Sequence, residues 1–452
     1  MFDLKSYRAR LPWIPVGLAA LALAVRLFLL VDRYAVNIFF SDQWEFNEAT
    51  LFETHSWWQV FTWQHGPHRQ GAGGVLAKLI EPHFQWDSRI ESFVVAAVFV
   101  LAMLLALWLK WRLAGALDYY DVVIPSLFLT ATQCEAIFGA ANFAHGSLPL
   151  LLIVVYCLAW TVQSALPRLA AVLAVNFLLI FTGFGLLMGP ITPIAIVASL
   201  LMSPADRRRI AMHAAAAAVA LLSLAAFFLN YTWNPAVSCY DSVLVRRSPA
   251  DYAHFAALIY ANYLGFDGMS SRHPELWGAL LLVFFVAIAA AVARDILRSE
   301  KQAQHSAAPV VALVLVAFSL LFCLATARGR LCLGFSAAQE SRYMPYLTPG
   351  FLGSYFYLSR TLSARWVRHA ALAAFLLVAA YASWPVHRGD QMEMAGFQSS
   401  KLRWQQCYLD RKDPVACSRE TRVRIANPPE TPHLQGKLGF LERQRLNLFD
   451  GR

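Results

Sequence analysis

An all-α polytopic membrane protein with about eleven spans is the fold class this sequence predicts, and three observations carry it. The 452 residues are 58% hydrophobic and 15% charged, with a mean hydropathy of +0.48. Their apolar residues come in runs of about 18 to 22, the length that crosses a bilayer. Short clusters of Lys and Arg recur on alternate connections between those runs, which marks these loops as cytoplasmic. The formal charge of +10 therefore reports topology, and no nucleic-acid partner is expected.

The spans follow in order. The first, 13–34, stands behind Lys5, Arg8 and Arg10, and its length and basic flanks mark a retained helix and not a cleaved leader. The second, 91–110, closes on Lys110 and Arg112. Spans 121–136 and 145–163 are joined by a short outer hinge, and Arg168 marks the return to the cytoplasmic side at the start of 167–184. Span 185–202 leads to Arg207, Arg208 and Arg209, which open the alanine-rich 208–231, where small residues let helices approach closely. A run near 252–266 is too short to span and reads as interfacial or re-entrant. Spans 276–295, 308–326, 343–360 and 367–385 complete the set, with Arg294, Arg298, Lys301, Arg360, Arg365 and Arg368 on the cytoplasmic side.

An amino terminus inside and an odd number of spans send 386–452 outside, so the chain divides into a membrane module, 1–385, and an outer tail, 386–452. Cysteine usage fits. Cys134, Cys157 and Cys323 lie in or at the ends of spans as small core residues, while Cys407 and Cys417 sit close together in the polar tail. In an oxidising compartment that pair forms a disulfide; two free thiols are the alternative.

Three polar concentrations remain. The first outer loop, 41–90, is far longer than a turn and opens with "SDQWEFNEA", which brings Asp42, Glu45 and Glu48 at helical spacing just outside the lipid. Its tryptophans suit amphipathic helices in the headgroup region. The carboxylates do not, since they repel one another and gain nothing there; such a group is held for a proton, a cation or a sugar hydroxyl. "WQHGPHRQGAGG" adds His65, His68 and Arg69, either lining the same cavity or, through His-x-x-His, holding a metal. The second concentration, "TARGRLCLGFSAAQESRYMPY", puts Arg328, Arg330 and Arg342 in an outer loop, where few basic residues are expected. The planar guanidinium fork suits phosphate or pyrophosphate; pairing with Glu340 or the first-loop carboxylates is the alternative. Arg246 and Arg247 make a weaker case of the same kind. The third is the hinge "ATQCEAIFGAANFAHGS", with Gln133, Glu135, Asn142 and His145. Ionisable groups so near hydrocarbon face a cavity or a partner, while a capping or hinge role is open for Asn142 and His145.

Taken together, the first helix, the acidic opening of a long first outer loop, the aromatic loop segments and the outer arginines resemble the GT-C superfamily of membrane glycosyltransferases. "GRLCLGFSAAQESRY" is similar to a stretch in bacterial members of this type. The resemblance spans residues 1 to about 385 and implies transfer of a sugar from a polyprenyl-phosphate-linked donor to a glycan or lipid acceptor. The expected setting is the outer, periplasmic face of a bacterial inner membrane, and the expected stereochemistry is inverting. By this resemblance Asp42 and Glu45 are catalytic, Asp42 as the base, and Arg342 clamps the donor phosphate, helped by Arg328, Arg330 and Tyr343. His65, His68, Arg69, Glu135 and Asn142 line the acceptor side. A divalent cation, Mg or Mn, would fit the acidic motif, although the sequence has Asp-x-x-Glu where the family has Asp-x-Asp, and it lacks a large soluble carboxy-terminal domain. Two other readings are a polysaccharide polymerase or ligase using polyprenyl-diphosphate-linked glycans, which invests in late outer loops, and a transporter, which concentrates ionisable residues at mid-membrane.

Overall fold

The computed structural model of the chain describes residues 12–202, 206–233, 248–265, 273–298, 307–426 and 433–451. Arg246, Arg247 and Lys301 lie outside them. Among the described residues helices dominate, and the one sheet is a two-stranded hairpin.

Helix α1 (Trp13–Tyr34) buries Val16, Ala20, Leu23, Leu27 and Val31, a stripe at helical spacing. The first outer loop then folds into α2 (Gln43–Phe46), α3 (Trp57–Thr62), the hairpin β1 (Gln64–His65) and β2 (His68–Arg69), and α4 (Gly71–Ile80). Ser56 and Gln59 cap α3 reciprocally, and its Trp57 and Trp58 are exposed, as indoles at a lipid headgroup would be. Helix α4 reaches the molecule's centre because its glycines permit it: a Cβ on Gly73 would stand 2.4 Å from the Ala144 backbone.

Asp87 caps α5 (Ser88–Ala114) by accepting from the backbone N–H groups of Arg89 and Ile90 at 2.8 and 3.3 Å. Gly115 ends it in the left-handed region at φ 78°. The span expected over 121–136 is not one helix. After α6 (Val123–Phe128) the chain passes through a 3-10 turn, Ala131–Gln133, and a π turn, Glu135–Gly139. Tertiary partners replace the missing helical hydrogen bonds: Gln133 Nε2 donates to the Phe128 carbonyl at 2.9 Å, and Glu135 N–H donates to Ser341 Oγ at 2.8 Å. Arg26, mid-way along α1, supplies another by donating to the Leu129 carbonyl at 2.7 Å. It also donates to the Ser383 and Trp384 carbonyls at 2.5 and 2.6 Å. A charge inside an apolar run is thus spent on backbone carbonyls that lipid would leave unpaired.

Helices α7 (Ser147–Ala159), α8 (Ala165–Ile180), α9 (Met188–Leu201) and α10 (Arg207–Phe227) pack in succession, with Thr192 Oγ1 donating to Asn176 Oδ1 at 2.6 Å between α9 and α8. The short run near 252–266 is α11 (Pro249–Tyr263), buried at eight positions and packed against α12 (Pro274–Arg298) and α13 (Ala308–Arg330). Helices α14 (Met344–Thr361) and α15 (Arg365–Ser383) follow. Gly350 N–H donates to Ser319 Oγ of α13 at 2.7 Å, one residue past Pro349 in α14.

Among the described residues seven segments are long and apolar enough to cross a membrane: α1, α5, Gly183–Leu201, α10, α12, Ala308–Leu333 and Arg365–Arg411. The apolar part of the last is α15. Helices α7 and α8 are apolar but shorter.

The tail is not an appendage. Helices α16 (Arg388–Arg411), α17 (Pro414–Thr421) and α18 (Leu434–Gln444) share a hydrophobic core with the start of the first outer loop, where Phe39 and Trp44 meet Trp404, Tyr408, Ile425 and Leu438. Cys407 and Cys417 are joined by a disulfide that ties α16 to α17. Asn447, fully buried, locks the junction: it accepts from Phe39 N–H at 3.1 Å and donates to the Trp86 carbonyl at 2.7 Å and to Ser88 Oγ at 3.0 Å.

Candidate functional site

The three carboxylates that open the first outer loop part company. Glu48 pairs with Lys437 of the tail. Glu45 turns to the hairpin and meets His65 Nδ1 at 2.9 Å. Asp42 stands at the start of α2, its backbone carbonyl accepting the first helical hydrogen bonds from Glu45 and Phe46. Its side chain borders a cavity of about 70 Å³, where Ser41, Glu135, His145 and Arg342 join it. That volume holds roughly five waters, enough for a phosphate or part of a sugar ring. Phe40, Phe46, Phe184, Tyr346 and Phe397 wall it.

Each wall is positioned by a different part of the chain. Ser41 sits at φ 54° and its N–H donates to the Ile425 carbonyl of the tail at 2.8 Å, which turns the loop inward at Asp42. Gln43, the next residue, donates to Glu91 Oε2 at 2.8 Å and to the Ala141 carbonyl at 3.0 Å. Lys401 of α16 completes this buried layer, donating to the Phe138 and Gly139 carbonyls, both at 2.9 Å. The π turn that begins at Glu135 is thereby held at both ends.

Arg342 forms the site's ion pairs, with Glu340 and, at 3.5 Å, with Glu135. Burial works against its charge, but those two carboxylates outweigh burial and raise its pKa above the ordinary arginine value. The side chain is still 37% exposed, so one edge of the guanidinium faces the cavity. Glu135 lies outside the membrane-spanning helices, and burial lifts its pKa to about 7 against the opposing pull of Arg342. Two carboxyls therefore share one cavity in different environments, the arrangement by which sites separate proton-holding from charge-stabilising roles.

Behind the cavity lies an aromatic stack. Phe46 lies between His65 and His145, with centroids 4.5 and 5.1 Å away, and His68 stands 5.4 Å from His145. Burial and then His65 push His145 down to about 3, and burial and then His145 push His68 well below its usual value. The charge of Arg330 contributes to both shifts, but Arg330 is not among the residues that line the cavity; Arg328 is exposed.

The structure thus brings Asp42, Glu135 and Arg342 together. Arg69 points elsewhere: it donates to the Phe227 and Leu229 carbonyls at 2.9 and 2.6 Å and caps the carboxy-terminal end of α10. Asn142 accepts from Ala144 N–H at 2.5 Å and shapes the hinge. Tyr343 is buried against Phe322, with Arg342 over its ring. Among the described residues no three His, Cys, Asp or Glu side chains gather as metal ligands would.

Sequence reasoning missed Gln43, Glu91, Lys401 and Phe397. A signal existed: Met394, Phe397, Lys401, Trp404 and Tyr408 repeat at spacings of three and four, so a lysine stands in the buried stripe of a polar helix. No known protein family, curated protein or solved structure matches this chain.

Proposed function

We propose that this protein transfers a sugar from a polyprenyl-phosphate-linked donor to a glycan or lipid acceptor of the cell envelope, at the outer face of a bacterial inner membrane. One observation supports it above the rest: a carboxylate from the first outer loop, Asp42, shares an aromatic-walled cavity with a partly exposed arginine from the far end of the chain, Arg342. A lipid-linked sugar presents one phosphate and a ring with an apolar face and hydroxyl edges. Arg342 suits the phosphate, the aromatic walls suit the ring face, and Asp42 suits removal of the acceptor's proton as the C1–O bond breaks.

The test is transfer by purified, reconstituted protein from a polyprenyl monophosphate sugar. Asp42→Asn keeps shape and loses basicity, so turnover should fall by about 10² to 10⁴, the range of general base contributions, with normal insertion and donor binding. Wild-type turnover in that variant removes the proposal's main support.

A further inference from the structure

We propose that Glu135 serves the donor phosphate as a proton donor, so that the phosphate binds together with a proton on Glu135 and takes that proton as the sugar leaves. The inference rests on the phosphate reading of Arg342. Its geometric basis is independent of the first-loop motif. Glu135 lines the same cavity as Arg342 and lies 3.5 Å from its guanidinium, so a phosphate seated on Arg342's exposed edge is a close neighbour of the Glu135 carboxyl. An ionised carboxylate there repels the phosphate; a protonated one donates a hydrogen bond to it. The π turn supports that position rigidly, with Glu135 N–H on Ser341 Oγ and the far end of the turn on Lys401 Nζ. Single π turns of this kind concentrate at functional sites.

The groups facing Glu135 are Arg342 and Glu340 of the late outer loop, Glu393 of α16 with its partners Cys134 and Ser341, and Asp42 and His145 across the cavity. Arg342 alone among them favours the ionised form, and burial opposes it. The chemistry balances. The C1–O bond breaks and its electron pair goes to the phosphate oxygen, which takes the phosphate from one negative charge to two. Glu135 passes its proton to that oxygen. The acceptor oxygen bonds to C1 and gives its own proton to Asp42. Two protons change place, and none is created or lost.

A phosphodiester keeps a single charge across neutral pH, so farnesyl methyl phosphate reports the protein's titration and not its own. Binding to the purified protein by calorimetry should weaken about thirty-fold from pH ~6 to pH ~8.5, as the protonated fraction of a group titrating near 7 falls. In Glu135→Gln the affinity should stay at the low-pH value across that range. Wild-type protein titrated near pH ~7.5 in two buffers of different ionisation enthalpy should take up about three-quarters of a proton per ligand, a readout that needs no variant. Binding by wild type that is equal at both pH values, or without proton uptake, overturns the role of Glu135 and leaves the phosphate site standing. A pH dependence that persists in Glu135→Gln assigns the proton to another group and overturns it too. Absence of wild-type binding at both pH values overturns the phosphate reading itself, and this inference with it.

Discussion

A lysine at position 342 would keep a charge but lose the two-pronged donor set that reaches Glu135 and Glu340 at once. Arg342→Lys should weaken binding of a phosphate-bearing donor about tenfold, near 1.4 kcal/mol, with normal expression; unchanged affinity by calorimetry makes the arginine a structural ion pair. Lys401 tests the layer behind. Its ammonium is buried on two carbonyls, with the charge of Glu91 nearby. Lys401→Met should destabilise by about 1–3 kcal/mol, since it leaves the buried Phe138 and Gly139 carbonyls without their donor, and Lys401→Met with Glu91→Gln should lose less than the sum of the singles. Thermal unfolding in detergent reads both. Asp42, Glu135 and Arg342 were legible because carboxylates beside lipid and arginines outside it both break compositional rules. Their supports were harder to see, because a lysine in a polar tail breaks no compositional rule and only the spacing of the apolar stripe around Lys401 marks it.

At the scale of elements, loops decide where the site sits. Helix α4 meets the hinge only because glycine stands at 73, and a side chain there collides with Ala144 backbone that has nowhere to go. Gly73→Val should therefore lower stability by about 1–3 kcal/mol or more and displace His145, visible as a drop in melting temperature together with lost donor binding. The apolar helices were readable from run length alone. Residues 121–146 were not: a stretch with the composition of a span breaks after Phe128 because Ser341 and Arg26 meet its backbone, and those partners lie far off in sequence.

For the whole molecule, the disulfide between Cys407 and Cys417 sets one compartment for the tail. Cys332, in the loop that ends at Arg342, is also disulfide-bonded. A membrane-impermeant thiol reagent on intact cells should label neither Cys407 nor Cys417 before reduction and both after reduction and unfolding; labelling of both without reductant counts against the bridge. The tail's shared core with the first outer loop was hidden from the sequence, since its stripe of Met394, Trp404 and Tyr408 says that a helix is covered but not by what.

That shared core also sets a clock. Asn447 bonds Asn37 across 410 residues of chain, an interval that synthesis at 5–20 residues per second fills with about 20 to 80 s. Throughout it the newly made stretch around Asp42 lacks the tail residues that pack on Trp44 and turn Ser41 inward. The cavity beside Asp42 therefore takes its final shape only after the residues around Ile425 and Asn447 have been made.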